Sequence, residues 1–301
     1  MQYILNKKMA ILIIKDEEEA KIMLRIVADT GSDISYLRGA EAGIDVIELD
    51  IRFDDLSYDY RNDPDFSAFY SNLTKSKTLP TTSQVTPGQY LDVFEDAKAK
   101  GDEVLVITLS SGLSGTYSSA ISAQEMCGYD KITVIDSKQG SISLKLMVEH
   151  ANKLRNEGKS RADIEKVLLD IRDRVSLLVI LDTLSYLKKG GRVPPAMAFL
   201  GEALSMKPIL ALNSEGKVEP IKKVRGFEAA KKALFAHFDT TGFDEHWPVY
   251  FGYTQNKERG ESFMQDGKSK YNFKACSLHS VGGVIGTHSG PNAVAVGYVK
   301  K

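Results

Sequence analysis

The amino-acid sequence predicts an α/β fold in two domains, the first built on a mostly parallel sheet with helices on both faces. Three observations carry this. Short, mostly apolar runs such as residues 104–109 alternate with longer segments whose apolar residues recur at helical spacing, and strands that alternate with helices become parallel neighbours in one sheet. The length of 301 residues suits two domains of about 150 residues each, or one large one. The texture of the chain changes near residue 160, after a helical segment closed by Gly158. The divisions expected are an extension over 1–22, a first domain over 23–160 and a second over 161–301.

Element by element, the first 22 residues precede what reads as the first core strand, and Met9 and Met23 are both candidate starts. The segment is expected to be a poorly packed extension. Residues 24–28 form a short apolar run ending in Asp29-Thr30-Gly31-Ser32-Asp33, a strand followed by a turn with helix-capping residues. Residues 44–53 read as a second strand, with Val46, Ile47, Leu49 and Ile51 in it. Apolar spacing predicts helices over Ser67–Lys75 and Pro87–Lys100. Residues 104–109 are a buried strand, 110–115 a small-residue loop, 116–126 a helix, 131–136 another buried strand and 143–156 another helix.

Beyond the boundary, residues 161–174 place Ile164, Val167, Leu168 and Ile171 on one helical face. A strand over 177–182 precedes a segment, 186–200, that holds a Lys-Lys-Gly-Gly-Arg turn and a double proline. Strands over 208–212, 217–223 and 248–253 then alternate with two helices. The tail, 279–299, carries no charge but five glycines, and reads as short buried strands around a loop rather than a spanning helix.

Composition narrows the function. Thirty-nine Lys and Arg against forty Asp and Glu leave a net charge of −1, which argues against a broad electrostatic footprint for nucleic acid. Cys127 and Cys276 make neither a CxxC pair nor a metal-ligand spacing, so a reducing, cytoplasmic setting is the simplest reading. The early apolar run Met9-Ala-Ile-Leu-Ile-Ile14 leads straight into Asp16-Glu17-Glu18-Glu19, too short for a signal-peptide core. A soluble protein is expected.

Most familiar catalytic signatures are missing. There is no GxxxxGK[ST], no GxGxxG after the first strand and no HExxH, and the five histidines have no evident metal partners. Gly112-Leu113-Ser114-Gly115-Thr116 falls one residue short of a GxSxG nucleophile elbow, because Thr116 stands at the second outer glycine. Three segments stand out instead. Pro80-Thr81-Thr82-Ser83-Gln84 is a run of hydroxyl and amide donors. Ser110 to Thr116, SSGLSGT, lies between a buried strand and a helix, where glycines admit close approach and the helix N-terminus offers unpaired N–H groups. Gly286-Thr287-His288-Ser289-Gly290-Pro291-Asn292 reads as a tight loop between apolar runs. Together they supply neutral donors and one imidazole to a carboxylate or phosphate.

Each has a plainer reading. Ser114 by its spacing is a helix N-cap, and Thr82 or Ser83 caps the helix starting at Pro87. His288 beside glycines is more often structural than a base. The Lys188-Lys189-Gly190-Gly191-Arg192 turn is usually just solvated, and Asp29 and Asp136, at strand ends, usually cap the next helix.

In their order along the chain, these segments resemble the DegV family of bacterial fatty-acid-binding proteins, which includes subunits that present a fatty acid to a separate kinase. The matching residues are Asp29 to Asp33, Thr82-Ser83-Gln84, SSGLSGT, Val134-Ile135-Asp136-Ser137, Leu184 to Val193 with its GGR turn, Lys207-Pro208-Ile209-Leu210, and Gly286 to Pro291. SSGLSGT, the GGR turn and the His-x-Gly-Pro loop in this order are the specific part. The resemblance implies a second domain of α+β type, with a fatty acid buried between the two domains. It implies that Thr82 and Ser114 hydrogen-bond the carboxylate, with the backbone of Ser114 and Gly115 beside them and His288 orienting the head group. Arg192 would lie at the surface, where a kinase docks or the phosphoryl group is transferred. No metal and no cofactor beyond the bound long-chain fatty acid is implied. Three positions depart from the family pattern: Thr30 replaces a serine, Asn292 a glycine, and residues 141–146 lack the usual glycines. The last of these bears on acyl preference rather than on the carboxylate.

Physical chemistry is consistent with such a ligand. A sixteen-carbon tail buries about fourteen methylenes, a gross gain of roughly 11 kcal/mol. The head group then needs only orientation and satisfied acceptors, which hydroxyls and backbone N–H groups provide. The leading expectation is therefore a non-enzymatic carrier that presents its ligand's carboxylate to a separate ATP-dependent kinase. The alternatives are an acyl hydrolase or transferase with Ser114 as nucleophile and His288 as base, and a lipid sensor.

Overall fold

The structure, a computed structural model, describes residues 22–54, 56–59, 63, 65–193 and 205–301. The expected extension, up to residue 21, and the double proline lie outside these residues.

The first sheet has the strand order β2-β1-β6-β7, formed by β1 (Leu24–Asp29), β2 (Ile44–Ile47), β6 (Glu103–Thr108) and β7 (Ile132–Asp136), all parallel. Val104, Leu105, Val106 and Ile107 are all fully buried. Four successive buried residues on a strand require cover on both faces. It comes from α3 (Pro87–Lys100) and α4 (Thr116–Cys127), which pack together, and from α5 (Ser141–Asn156) and α6 (Arg161–Arg172). The apolar face of α6, Ile164, Leu168 and Ile171, joins the same core as Ile26 and Ile107.

The second sheet is mixed, in the order β10-β9-β8-β13-β11-β12. Its members are β8 (Val175–Ile180), β9 (Met206–Leu212), β10 (Val218–Arg225), β11 (Val249–Tyr253), β12 (Cys276–Ser280) and β13 (Val294–Val299). Only β11 and β12 run parallel. Helices α8 (Phe227–Thr241) and α9 (Lys257–Lys270) pack on this sheet around Phe235, Phe251 and Phe263. Helix α5 also touches this sheet through β8, β11 and β13. It lies between the two sheets, and its first half is buried almost all round, as a helix with two apolar neighbours must be. The α/β unit with a parallel sheet and the α+β unit that follows agree with the expectation.

Two expectations need correcting. Residues 44–53 are not one strand. The chain leaves the parallel sheet after Ile47, where the Leu49 N–H donates to the Thr30 hydroxyl at 3.0 Å. It then forms β3 (Ile51–Phe53) in a small antiparallel sheet with β4 (Leu56–Ser57) and β5 (Thr81–Thr82). Likewise, 286–292 is not simply a loop. Residues Gly283–Ser289 form a helix, numbered α10 below, that ends at Gly290 with φ 71°. Its glycines, poor helix formers by propensity, face α2 (Ser67–Lys75). A Cβ on Gly283 would come within 2.9 Å of Phe69, and one on Gly286 within 2.6 Å of the Tyr70 hydroxyl. Packing, not propensity, selects them. Two further helices are α1 (Tyr36–Ala42) and α7 (Ser185–Lys189), the second of which occupies the start of the 186–200 segment.

Candidate functional site

Side chains alternate across a strand, so β8 turns Leu177 and Val179 to the face opposite Leu178 and Ile180. On that face they meet Leu210 and Leu212 of β9, Val218 of β10, and Leu181 just beyond β8. Leu49, Leu109, Leu113, Val284 and Ile285 close the hollow from the other side. The cavity and the open solvent at its mouth together span about 850 Å³. Thr82, Ser114 and His288 line it, and among the described residues Arg192 is its only charged lining residue. An outer hollow of about 680 Å³ shares Thr82, His288 and Arg192 with the first and adds Tyr186 and Lys189. Thr82, His288 and Arg192 thus stand where the inner cavity meets the outer hollow, while Ser114 and Ser141 line the inner cavity alone.

Each polar group is placed by its own element. Thr82 sits on β5, paired with Ile51 of β3, and its hydroxyl is 3.0 Å from Nε2 of His288. It does not cap the following helix. Thr86 does, in a capping box with Gln89. Ser83 instead donates its backbone N–H to the Asp50 carbonyl. Imidazole His288 is largely buried, and burial, followed by the nearby Arg192 charge, pushes its pKa down to about 4. The ring is neutral at pH 7. Its Nδ1 is buried and has no partner among the described residues.

Ser114 is not the N-cap of α4, which is Gly115 without a side-chain cap. Its hydroxyl lies 2.9 Å from that of Thr116 and accepts from the Thr116 N–H at 3.3 Å. Thr116 in turn accepts from the Val85 N–H at 3.3 Å, joining the SSGLSGT loop to the Thr82 segment. Gly115 is required where Gln84 crosses: a Cβ there would lie 2.1 Å from Oε1 of Gln84.

The strand-end aspartates are not simple helix caps. Asp29 accepts from Gly31 N–H at 2.9 Å, as a cap does, and from Leu109 N–H at 2.7 Å at the root of the SSGLSGT loop. Burial pushes its pKa up to about 7, against those two hydrogen bonds. Asp136 caps no helix. It accepts from the Ser111 N–H and hydroxyl at 3.1 and 2.5 Å and from the Lys138 N–H at 3.1 Å. Burial would raise this carboxyl, but these hydrogen bonds outweigh it and leave the pKa below its ordinary value.

Arg192 is exposed, yet the turn is not merely solvated. Its Nε donates to the Leu113 carbonyl at 3.2 Å and its Nη1 to the Gly190 carbonyl at 2.7 Å. The GGR turn is thereby tied to the SSGLSGT loop. Two glycines of the sequence motifs interlock α7 with α10: a Cβ on Gly190 would lie 2.1 Å from Nδ1 of His288, and one on Gly290 2.3 Å from the Tyr186 ring. Their sequence signal is the pairing of GGR with HSGP, which spacing alone does not link. Gly112 and Ser110 likewise meet the turn between β9 and β10, where Ser110 donates to the Gly216 carbonyl at 2.9 Å.

The arrangement differs from that of an activated nucleophile. Ser114 pairs with Thr116 and His288 with Thr82, so no nucleophile–base hydrogen bond joins Ser114 to His288, and among the described residues no carboxylate is bonded to the imidazole. Among the described residues, no group of three or more His, Cys, Asp or Glu is placed to hold a metal ion. No described helix is long and apolar enough to cross a membrane.

Comparison with known proteins places this geometry. The family model of the DegV family, described as uncharacterised proteins, matches residues 23–301. A DegV domain-containing protein of Caldanaerobacter subterraneus subsp. tengcongensis is 33% identical over 279 residues, 92% of this chain and 99% of the relative. Among solved structures, a DegV family protein from Thermus thermophilus described by its fatty acid binding superposes with a TM-score of 0.81 at 27% identity, covering 92% of this chain and 100% of that one. A DegV lipid-binding protein from Thermotoga maritima superposes with a TM-score of 0.82 at 26% identity, covering 93% of this chain and 99% of that one.

Proposed function

This chain belongs to the DegV family, and from that premise we propose that it binds a long-chain fatty acid and presents the carboxylate to a separate ATP-dependent kinase, which forms the acyl phosphate. The observation that carries the reading is a cavity walled mainly by leucines, with Thr82, Ser114 and His288 in its lining and an outer hollow that shares Thr82, His288 and Arg192 with it. The fatty acid and lipid binding named for the Thermus and Thermotoga relatives points the same way.

On this reading the acyl tail lies along the leucines of β8 and β9, and the hydroxyls of Thr82 and Ser114 with the Gly115 N–H donate to the carboxylate. With its proton on Nε2, His288 donates to the Thr82 oxygen, which leaves the Thr82 hydroxyl hydrogen for the ligand. That tautomer fits the bare Nδ1 pressed against Gly190. Arg192 and Lys189, at the outer hollow, form the surface that meets the kinase. The chain acts as a carrier, with the nucleotide and the phosphoryl chemistry supplied by the partner. The proposed division into two domains near residue 160 falls at the start of α6, whose apolar face packs on β6 and β7.

Titration of palmitate into the wild-type protein and Ser114→Ala tests the assignment. Removing one donor from a buried carboxylate costs about 1–3 kcal/mol, so the variant is expected to bind roughly tenfold to a hundredfold more weakly. Unchanged affinity would mean that the carboxylate lies elsewhere.

A further inference from the structure

The buried carboxylate of Asp33 has a geometry that its place in the turn after β1 does not require. Asp33 adopts a left-handed backbone, φ 56°, and is 2% exposed. Its Oδ2 accepts from the Ser141 hydroxyl at 2.5 Å and its Oδ1 from the Gly282 N–H at 2.8 Å. Ser141 opens α5, stands in the cavity wall, and is itself left-handed at φ 57°. Gly282 is the N-cap of α10, the helix that brings His288 to the cavity. Two non-glycine residues in this sparsely populated region, bonded to each other, persist only where their surroundings over-determine them. The other groups facing Asp33 are Lys145 of α5, which donates to its carbonyl at 3.5 Å, and Tyr70 of α2, whose hydroxyl donates to the Val281 carbonyl at 2.9 Å. The turn before α10 presents only the Gly282 amide.

We propose that Asp33 is a positioning residue for the head-group site: its carboxylate fixes the start of α10 to the start of α5 and so sets where His288 meets Thr82. Helix α10 is only seven residues long, so a displacement at its N-cap carries through to His288 in its last turn. Burial pushes the Asp33 pKa up to about 7, against the bonds from Ser141 and Gly282 and the charge of Lys145. Protonation keeps the clamp, because the acid hydrogen can be donated to the Ser141 oxygen while the other oxygen still accepts from Gly282. Asparagine makes the same two bonds, accepting through Oδ1 and donating through Nδ2. The proposal rests on the fatty-acid reading for its binding readout but not for its structural one.

The test compares the wild-type protein with Asp33→Asn and Asp33→Ala. The NMR signal of the His288 ring, assigned by its loss in His288→Gln, is followed alongside palmitate affinity. Asp33→Ala is expected to shift the His288 signal and to weaken palmitate binding about tenfold or more, and Asp33→Asn to restore both. Phe263→Leu, in the core behind the second sheet, lowers Tm but leaves the His288 signal in place. If Asp33→Ala does not fold, Asp33→Ser, too short to reach both partners, carries the same expectation. A His288 signal unmoved in the folded variant, or one not restored by asparagine, would overturn the proposal. Absence of palmitate binding in the wild-type protein would instead contradict the fatty-acid reading and leave the NMR test standing.

Discussion

The groups that meet the ligand on this reading are neutral, and His288 shows what that requires. With a pKa of about 4 in the fold against about 6.5 ordinarily, the imidazole binds fewer protons when folded than when unfolded. The stability it contributes is complete above pH 6.5 and is lost as pH falls towards 4. His150 and His279, pushed down to about 4 and about 3 by burial, act with the same sign. The ring signal of His288 in the ligand-free protein should therefore stay that of neutral imidazole from pH 8 to below 5. Titration near 6.5 would show that the ring is not enclosed as described. Ser114 and His288 are legible in the sequence as polar groups in glycine-rich surroundings, and Thr82 as part of a run of hydroxyl and amide donors. Their bonds are not: Ser114 and Thr82 were expected at helix caps, and caps are read from local spacing, whereas the Thr82–His288 bond joins residues 206 positions apart.

At the scale of elements, the sequence revealed those whose cause is local. Helices Ser67–Lys75 and Pro87–Lys100 fell where apolar spacing put them. Helix α1 was missed because it buries only Gly39 and shows no apolar stripe, although Ser35 and Gly43 mark its two ends. Helix α10 was read as a loop because its glycines argue against a helix until the rings of Phe69 and Tyr70 are set against them. The split of 44–53 is likewise tertiary, since it depends on Thr30 taking the Leu49 N–H. The contact between α7 and α10 makes a testable consequence. Gly190→Ala places a methyl group 2.1 Å from the present position of Nδ1 of His288, so the ring must move. Palmitate affinity in this variant should fall by as much as in His288→Gln, with the fold intact by circular dichroism. Affinity equal to wild type would show that His288 can give way at no cost to the site.

The whole molecule adds what no single element holds. Neither sheet encloses a cavity alone; the hollow exists because α5 spaces the two sheets and leaves the faces of β8 and β9 turned towards Leu109 and Val284. Alternation along the strands was readable, but which sheet faces which is a property of the folded chain. The same stacking brings Arg192, from the second half of the chain, onto the Leu113 carbonyl of the first. Because its guanidinium is exposed and its bonds are to carbonyls at the outer hollow, Arg192→Ala should leave palmitate affinity within about threefold. It should lower the rate of acyl-phosphate formation with a separate fatty acid kinase and ATP. Loss of lipid binding in that variant would instead make Arg192 part of the ligand site. The central claim, a carrier with one fatty acid in one cavity, is tested most directly by native mass spectrometry of the purified protein followed by denaturing extraction and lipid identification. One fatty acid per chain, co-purified or taken up from added palmitate or oleate, is the predicted result. A protein that emerges empty and takes up neither acid would contradict it.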